Sequence, residues 1–165
     1  MKILIAYASK TGSTREMAAL LGESMPNQEV VLADLGEQRP NPAEFDYIVL
    51  GAPIRFNRVH RAMRTYLAEH EACIAAMPHT LFLCCAFSDQ LEHYFSVAFP
   101  RAVRESAEQC VYFGGDLSLS RQHGLAKWLT RMLRNSILES EEDGACLPCL
   151  LPEHVRLLAE RLRKK

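Results

Sequence analysis

Short apolar runs alternate with helical spacing along most of this chain. Residues 3–8, Ile-Leu-Ile-Ala-Tyr-Ala, form an unbroken apolar run, the pattern of a strand covered on both faces. From Thr14 the period changes: Met17, Ala18, Leu21 and Met25 fall on one helix face, and Pro26-Asn27 closes it. Residues 30–32 predict a second strand, and Pro40 and Pro42 mark a loop. A third strand over 47–50 runs into Gly51-Ala52-Pro53, after which Val59, Met63, Tyr66 and Leu67 return to helical spacing. A fourth strand is predicted over 80–86, a helix over 100–108, a fifth strand over 110–113 and a helix over 122–135. Residues 140–152 read as a loop, and Pro152 suits the first position of a last helix that turns Val155, Leu158, Ala159 and Leu162 inward.

Strands this short and apolar, alternating with amphipathic helices, predict a parallel sheet covered on both faces within one α/β domain spanning residues 1–165. In such sheets ligands bind beyond the carboxyl ends of the strands. Three predicted strand ends open into loops of interest: residues 9–14, 51–57 and 86–90.

The first of these loops is Ser9-Lys10-Thr11-Gly12-Ser13-Thr14. A helix amino terminus presents unpaired N–H groups and a partial positive charge, so a phosphate is stabilised there without help from a cation. Gly12 lets the backbone curl around the anion, and the four hydroxyls can donate to its oxygens. A capping box between Ser13 and Glu16 is the simpler alternative, but it needs one hydroxyl rather than four. No Gly-Lys-Ser/Thr follows, so this is not a Walker loop, and a Gly-x-Gly-x-x-Gly dinucleotide fingerprint is absent.

The loop resembles the Ser/Thr-x-Thr-Gly-x-Thr phosphate loop of flavodoxins, and the element order resembles the flavodoxin-like fold over nearly the whole chain. The resemblance implies a three-layer sandwich with a five-stranded parallel sheet, order 2-1-3-4-5, and helices on both faces. It implies FMN rather than FAD, with the phosphate held by Ser9, Lys10, Thr11, Gly12, Ser13 and Thr14. Two later loops would enclose the isoalloxazine ring: Ala52, Pro53, Ile54, Arg55 and Phe56, and then Ala86, Phe87 and Ser88.

A narrower likeness rests on Ile48-Val49-Leu50-Gly51-Ala52-Pro53-Ile54-Arg55-Phe56 with His60 and Ala62. It is joined by residues 110–117, a strand ending in Gly-Gly, and the Trp-, Leu-, Met-, Lys- and Arg-rich stretch that follows. These are similar to the flavodoxin-type protoporphyrinogen oxidases of bacteria, which implies electron transfer from a porphyrinogen to a membrane quinone. That family carries a longer basic loop after its fourth strand. This chain runs Phe87-Ser88-Asp89-Gln90-Leu91-Glu92 there, short and acidic, which leaves the substrate open.

Composition narrows the field modestly. The 165 residues carry a net charge of about −1 and 48% apolar residues, which provides no global attraction for nucleic acid. No apolar run reaches the roughly 18 residues of a membrane span, and the first run is shorter than a signal-peptide core. The expected location is the cytoplasm, with six reduced cysteines.

Arg55, Arg58, Arg61 and Arg64 recur every third residue. They are either a solvated helix face or, at Arg55 and Arg58, a contact for an anionic substrate. Leu125, Trp128, Leu129, Met132 and Leu133, beside Lys127, Arg131 and Arg134, form either a core stripe or an interfacial helix suited to a quinone user. Cys146-Leu-Pro-Cys149 is read as loop cysteines, a redox pair or half a metal site. No metal site is expected, and no general acid or base stands out. The expected partners are a small-molecule redox substrate or a redox protein, with a peripheral quinone or membrane contact. A pure electron carrier is the rival function, but the near-neutral charge and arginine run fit it poorly.

Overall fold

The computed structural model describes residues 1–55, 57–115, 131–132 and 148–165. Strands β1 (Lys2–Tyr7), β2 (Glu29–Asp34), β3 (Tyr47–Arg55), β5 (His79–Cys84) and β6 (Gln109–Tyr112) form a parallel sheet in the order β2-β1-β3-β5-β6. A two-residue strand, β4 (Arg58–Val59), folds back antiparallel on the end of β3. Without this hairpin strand the order is the expected 2-1-3-4-5. Register is set by pairs such as Ile3 with Val30 and Tyr47, Ile48 with His79, and Thr80 with Gln109.

The alternation of side chains along each strand builds two cores. Ile3, Ile5, Val49 and Phe82 face helices α1 (Ser13–Glu23) and α5 (Pro152–Arg163), which bring Met17, Leu21, Val155, Leu158 and Leu162. Leu4, Ile48, Leu50, Leu81 and Leu83 face the opposite layer. That layer contains α2 (Arg61–Ala75), α3 (Leu91–Ala98) and α4 (Arg101–Ser106), with Met63, Tyr66, Phe95, Phe99 and Val103 inward. Cys84 and Cys85 are neighbours in sequence and fall into different cores, as the strand period requires.

Three elements differ from expectation. β3 does not stop at Leu50 but runs to Arg55, because Ala52 and Pro53 continue the pairing with Leu83 and Cys84. The residues expected to begin a helix at Arg58 instead make the return strand of the hairpin, and α2 starts at Arg61. Helix α3 was not expected: it has only eight residues, and its buried side chains are Phe95 and Ala98 alone. The stretch expected as a helix over 122–135 lies outside the described residues except for Arg131 and Met132, which are helical and exposed. Among the described residues, no helix is long and apolar enough to cross a membrane.

Candidate functional site

The first loop leaves the sheet between its two central strands, where Ala8 N–H donates to Gly51 O at 3.0 Å. Gly12 has φ 94° and ψ −19°, a left-handed conformation that a side chain would strain. It is the N-cap of α1, so Ser13 stands at the first helical position and not at the cap that a Ser13–Glu16 capping box would require. Ser9 is used within the loop, its Oγ accepting from Gly12 N–H at 3.1 Å.

Thr11 is half-buried, and Thr14 is 1% exposed. Thr14 lies beside the Cys84 thiol, whose pKa burial pushes up to about 12. The N–H groups of the first turn have no partners inside the helix. Behind a left-handed glycine, they fit a phosphate. Arg15 is not part of that cradle. Its guanidinium lies 2.7 Å from Asp34 Oδ2 and ties α1 to the end of β2.

The hairpin after β3 forms the facing wall. Ile54 pairs with Val59 and Arg55 with Arg58, and Asn57 takes φ 57° at the turn, a conformation Asn tolerates better than most residues. Asn57 Oδ1 lies 2.9 Å from Nε2 of His93 on α3, so a helix of the neighbouring layer braces the hairpin. His60 is the N-cap of α2, its Nδ1 accepting from Ala62 N–H at 3.3 Å. That role leaves Nε2 as the protonated nitrogen of the neutral ring. Burial holds the Arg55 guanidinium below its ordinary value, and it stays charged at any ordinary pH.

Between the walls lies a cleft of about 500 Å³. Lys10 lines it from the first loop, Pro53, Arg55, Arg58 and Val59 from the hairpin, and His60 and Arg61 from the start of α2. Four of these residues are permanent cations at neutral pH and none is a carboxylate. Its size suits a bound cofactor or small substrate. Arg64, the last of the arginine run, does not line it.

The third loop stands apart. Ala86 is half-buried, Phe87 and Ser88 are exposed, and none of them lines the cleft. Phe87 O accepts from the Cys85 thiol at 3.3 Å, and the Phe87 ring is 40% exposed. Phe56, expected at the site, lies outside the described residues, as does Cys146.

Cys149 is exposed, and its backbone is tied to this end of the sheet: its carbonyl accepts from Gly115 N–H at 3.1 Å. A Cβ on Gly115 would stand 2.0 Å from Cys85 O and 2.6 Å from Ala86 N. The Cys149 segment therefore packs next to the third loop, a proximity that the intervening helix-like stretch hid from the sequence. His93 and His60 were also missed as structural partners; His60 directly before a helical run was the available signal. Among the described residues no group of His, Cys, Asp and Glu is arranged to hold a metal.

A parallel sheet in this order, with a left-handed glycine turn after β1 and a cleft at the carboxyl ends of the strands, defines an α/β protein of the flavodoxin-like class. The family model for the flavodoxin domain matches residues 4–143, and the chain belongs to that family. FMN, the cofactor expected from the loop, is the cofactor of this family. Protoporphyrinogen IX dehydrogenase [quinone] of Escherichia coli K12 is 28% identical over 86 residues, 50% of this chain and 47% of that protein. The chain thus matches about half the length of this relative. Two solved structures share the fold. The flavodoxin of Fusobacterium nucleatum bound to flavin mononucleotide aligns over 99% of this chain and 97% of its own, with TM-score 0.53 and 11% identity. A flavoprotein in complex with FMN from Lactobacillus acidophilus aligns over 67% and 92%, with TM-score 0.53 and 16% identity.

Proposed function

We propose that this chain is an FMN-dependent oxidoreductase acting on an anionic organic substrate of the porphyrinogen type, with a quinone as acceptor. The observation that carries this reading is the wall of Arg55 and Arg58 across the cleft from the phosphate loop. Bound FMN would supply two-electron chemistry with an organic donor. The chain's own residues supply the rest. First-turn N–H groups of α1 and the hydroxyls of Ser9 and Thr11 meet the phosphate, and Gly12 shapes the turn around it. Ala52, Pro53 and Ile54 would flank the ring, whereas Ala86, Phe87 and Ser88 do not line the cleft and would meet the ring only at its outer edge. Arg55 and Arg58 orient carboxylates of the substrate by bidentate contacts. The similarity to a quinone-dependent protoporphyrinogen dehydrogenase supports the choice of substrate class. Work in the cytoplasm at the membrane surface would follow from a quinone acceptor.

Changing Arg55 and Arg58 together to Gln tests the reading. KM for a propionate-bearing porphyrinogen should rise roughly 10- to 100-fold, since each charged contact contributes about 1.5–3 kcal/mol. FMN should stay bound and reducible by dithionite. A wild-type protein without turnover, but exchanging electrons quickly with a flavodoxin reductase, would be an electron carrier. That second reading is favoured by the fold alone. Unchanged kinetics in the double variant would make the arginines a solvated face.

A further inference from the structure

We propose that His60 is a further binding residue of the cleft: its imidazole, fixed in the Nε2–H form by capping α2, donates one hydrogen bond to a carbonyl oxygen of the planar redox ring that occupies the cleft. The inference rests on the FMN reading above and adds to it a group that reads the ring, where the arginines serve carboxylates.

His60 stands at a junction that leaves its backbone little freedom. On one side Val59 pairs with Ile54 in the hairpin. On the other the His60 carbonyl accepts from Arg64 N–H at 3.2 Å and so begins the hydrogen-bond ladder of α2. Its φ of −62° and ψ of 138° are the extended values of an N-cap. The side chain completes the cap, with Nδ1 accepting from Ala62 N–H at 3.3 Å. A nitrogen that accepts carries no proton, so the proton of the neutral ring sits on Nε2 as long as the cap is made. Asn, Asp, Ser and Thr cap a helix with fewer atoms. What histidine adds is a second polar edge, and this residue lines the cleft.

The other histidines of the described residues are placed elsewhere. Each ring nitrogen of the fully buried His79 lies 2.8 Å from a carbonyl oxygen. His93 Nε2 meets Asn57, and His154 Nδ1 lies 2.7 Å from Tyr112 O.

The neighbouring lining residues define what the Nε2–H edge meets. Pro53 and Val59 provide apolar surface, which suits one face of a flat ring. Guanidinium and ammonium groups suit ionised oxygens. An imidazole N–H is an uncharged donor of fixed direction, and a neutral imidazole held in one tautomer polarises a carbonyl. Isoalloxazine and quinone rings both carry carbonyl oxygens at their rims. The shared chemistry is a ring carbonyl, and the two sources separate in the test.

Two substitutions divide the two edges of the imidazole. In His60→Asn the short amide still caps α2 but falls short of the Nε2 position. In His60→Gln the longer amide returns an N–H near that position and gives up the good cap. Melting temperature reads the cap. Fluorescence titration of oxidised FMN, and a difference-spectrum titration of the FMN-loaded protein with a water-soluble naphthoquinone, read the donor. His60→Asn should melt like wild type and lose about 2- to 10-fold in affinity for one of the two ligands, the range for one uncharged hydrogen bond. His60→Gln should melt lower and keep most of that affinity. A loss at FMN assigns the acceptor to a flavin carbonyl, and a loss at the naphthoquinone alone assigns it to a quinone carbonyl; either supports the proposal. In wild type labelled with nitrogen-15 histidine, the His60 Nε2 proton signal should sharpen and shift when the same ligand is added.

Equal affinities of wild type and His60→Asn for both ligands overturn the proposal while leaving the cofactor reading intact. A loss that is the same in the Asn and Gln variants also overturns it, because the ring then acts only through the helix start. If His60→Asn folds poorly, the wild-type signal decides, and an Nε2 proton that neither ligand moves overturns the proposal. Protein that takes up no FMN overturns both.

Discussion

On one side of the cleft, residues 9–14 surround a left-handed glycine with hydroxyls, backbone amides and a single lysine. On the other, a two-residue hairpin and a helix start present Arg55, Arg58 and Arg61. On the proposed reading both walls meet anions, by different physics. The loop would recognise by shape: the turn that presents its donors depends on Gly12 at φ 94°, and short-range hydrogen bonds are little affected by salt. The hairpin recognises by charge, which tolerates imprecise geometry, reaches about 10 Å and is screened by ions. On that reading, putting both in one cleft would separate holding a cofactor from selecting what reacts with it.

The largest expected effect breaks the loop side of this comparison. Replacing Thr11 and Thr14 together by Ala should weaken FMN binding by about 1.5–3 kcal/mol, the contribution of one hydrogen bond to a charged group made by Thr11, with Thr14 acting only through the packing of the loop. The single variants sharpen the point. Thr11→Ala should raise the dissociation constant of FMN, whereas Thr14→Ala, which removes a buried contact with Cys84, should also lower the melting temperature. Equal binding by the double variant and wild type in a fluorescence titration would refute the shape argument.

Next in size is ionic strength. Raising salt from about 0.05 to 0.5 M should weaken binding of a polycarboxylate inhibitor roughly tenfold while changing FMN affinity by less than threefold. Equal salt slopes for both ligands would erase the distinction between the walls.

A smaller effect concerns the brace behind the hairpin. His93→Ala removes the bond to Asn57 Oδ1 and should destabilise the fold by only about 0.5–1.5 kcal/mol in urea. It should nevertheless speed tryptic cleavage after Arg55 and Arg58. His93→Gln, which retains a donor, should restore protection.

The smallest effect is a control at the far end of the sheet. A hydrogen bond from Lys165 comes first among the causes that hold Glu108 below the ordinary carboxylate range, with one from Tyr47 adding to it. A depressed carboxylate stabilises the fold above its unfolded value of about 4.3 and loses that contribution as pH falls through its folded value. Wild type and Glu108→Gln should therefore differ slightly in melting temperature at pH 7 and converge once pH has fallen below the depressed folded value. FMN affinity should be the same in both.

The unequal legibility of the two walls in the sequence follows from the same physics. Residues 9–14 form a local motif, and a string of hydroxyls around one glycine between a strand and a helix can be read without knowing the rest of the fold. The sheet was equally legible, because 3–8 and, within the strand expected over 80–86, residues 81–86 are apolar on both faces of a period-two element. The hairpin was not. Arg55 and Arg58 at helical spacing imitate a solvated helix face, and only the pairing of Ile54 with Val59 turns them into one side of a cleft. The brace between Asn57 and His93 joins residues 36 apart, and the contact of Cys149 with Gly115 spans an interval of similar length. Neither leaves a periodic trace. Helix α3 was lost because its eight residues give only two buried positions from which to read a period.

The split between Cys84 and Cys85 makes the chain its own recorder of motion. One thiol lies among the side chains under α1 and α5, the other under α2 and α3. Burial raises both to about 12, so in the folded state almost no thiolate is present to react. An alkylating reagent marks each residue only during the interval in which its own layer parts from the sheet. Mass spectrometry of the peptide that carries both sites then yields two separate clocks, one for each side of the sandwich, spaced a single residue apart.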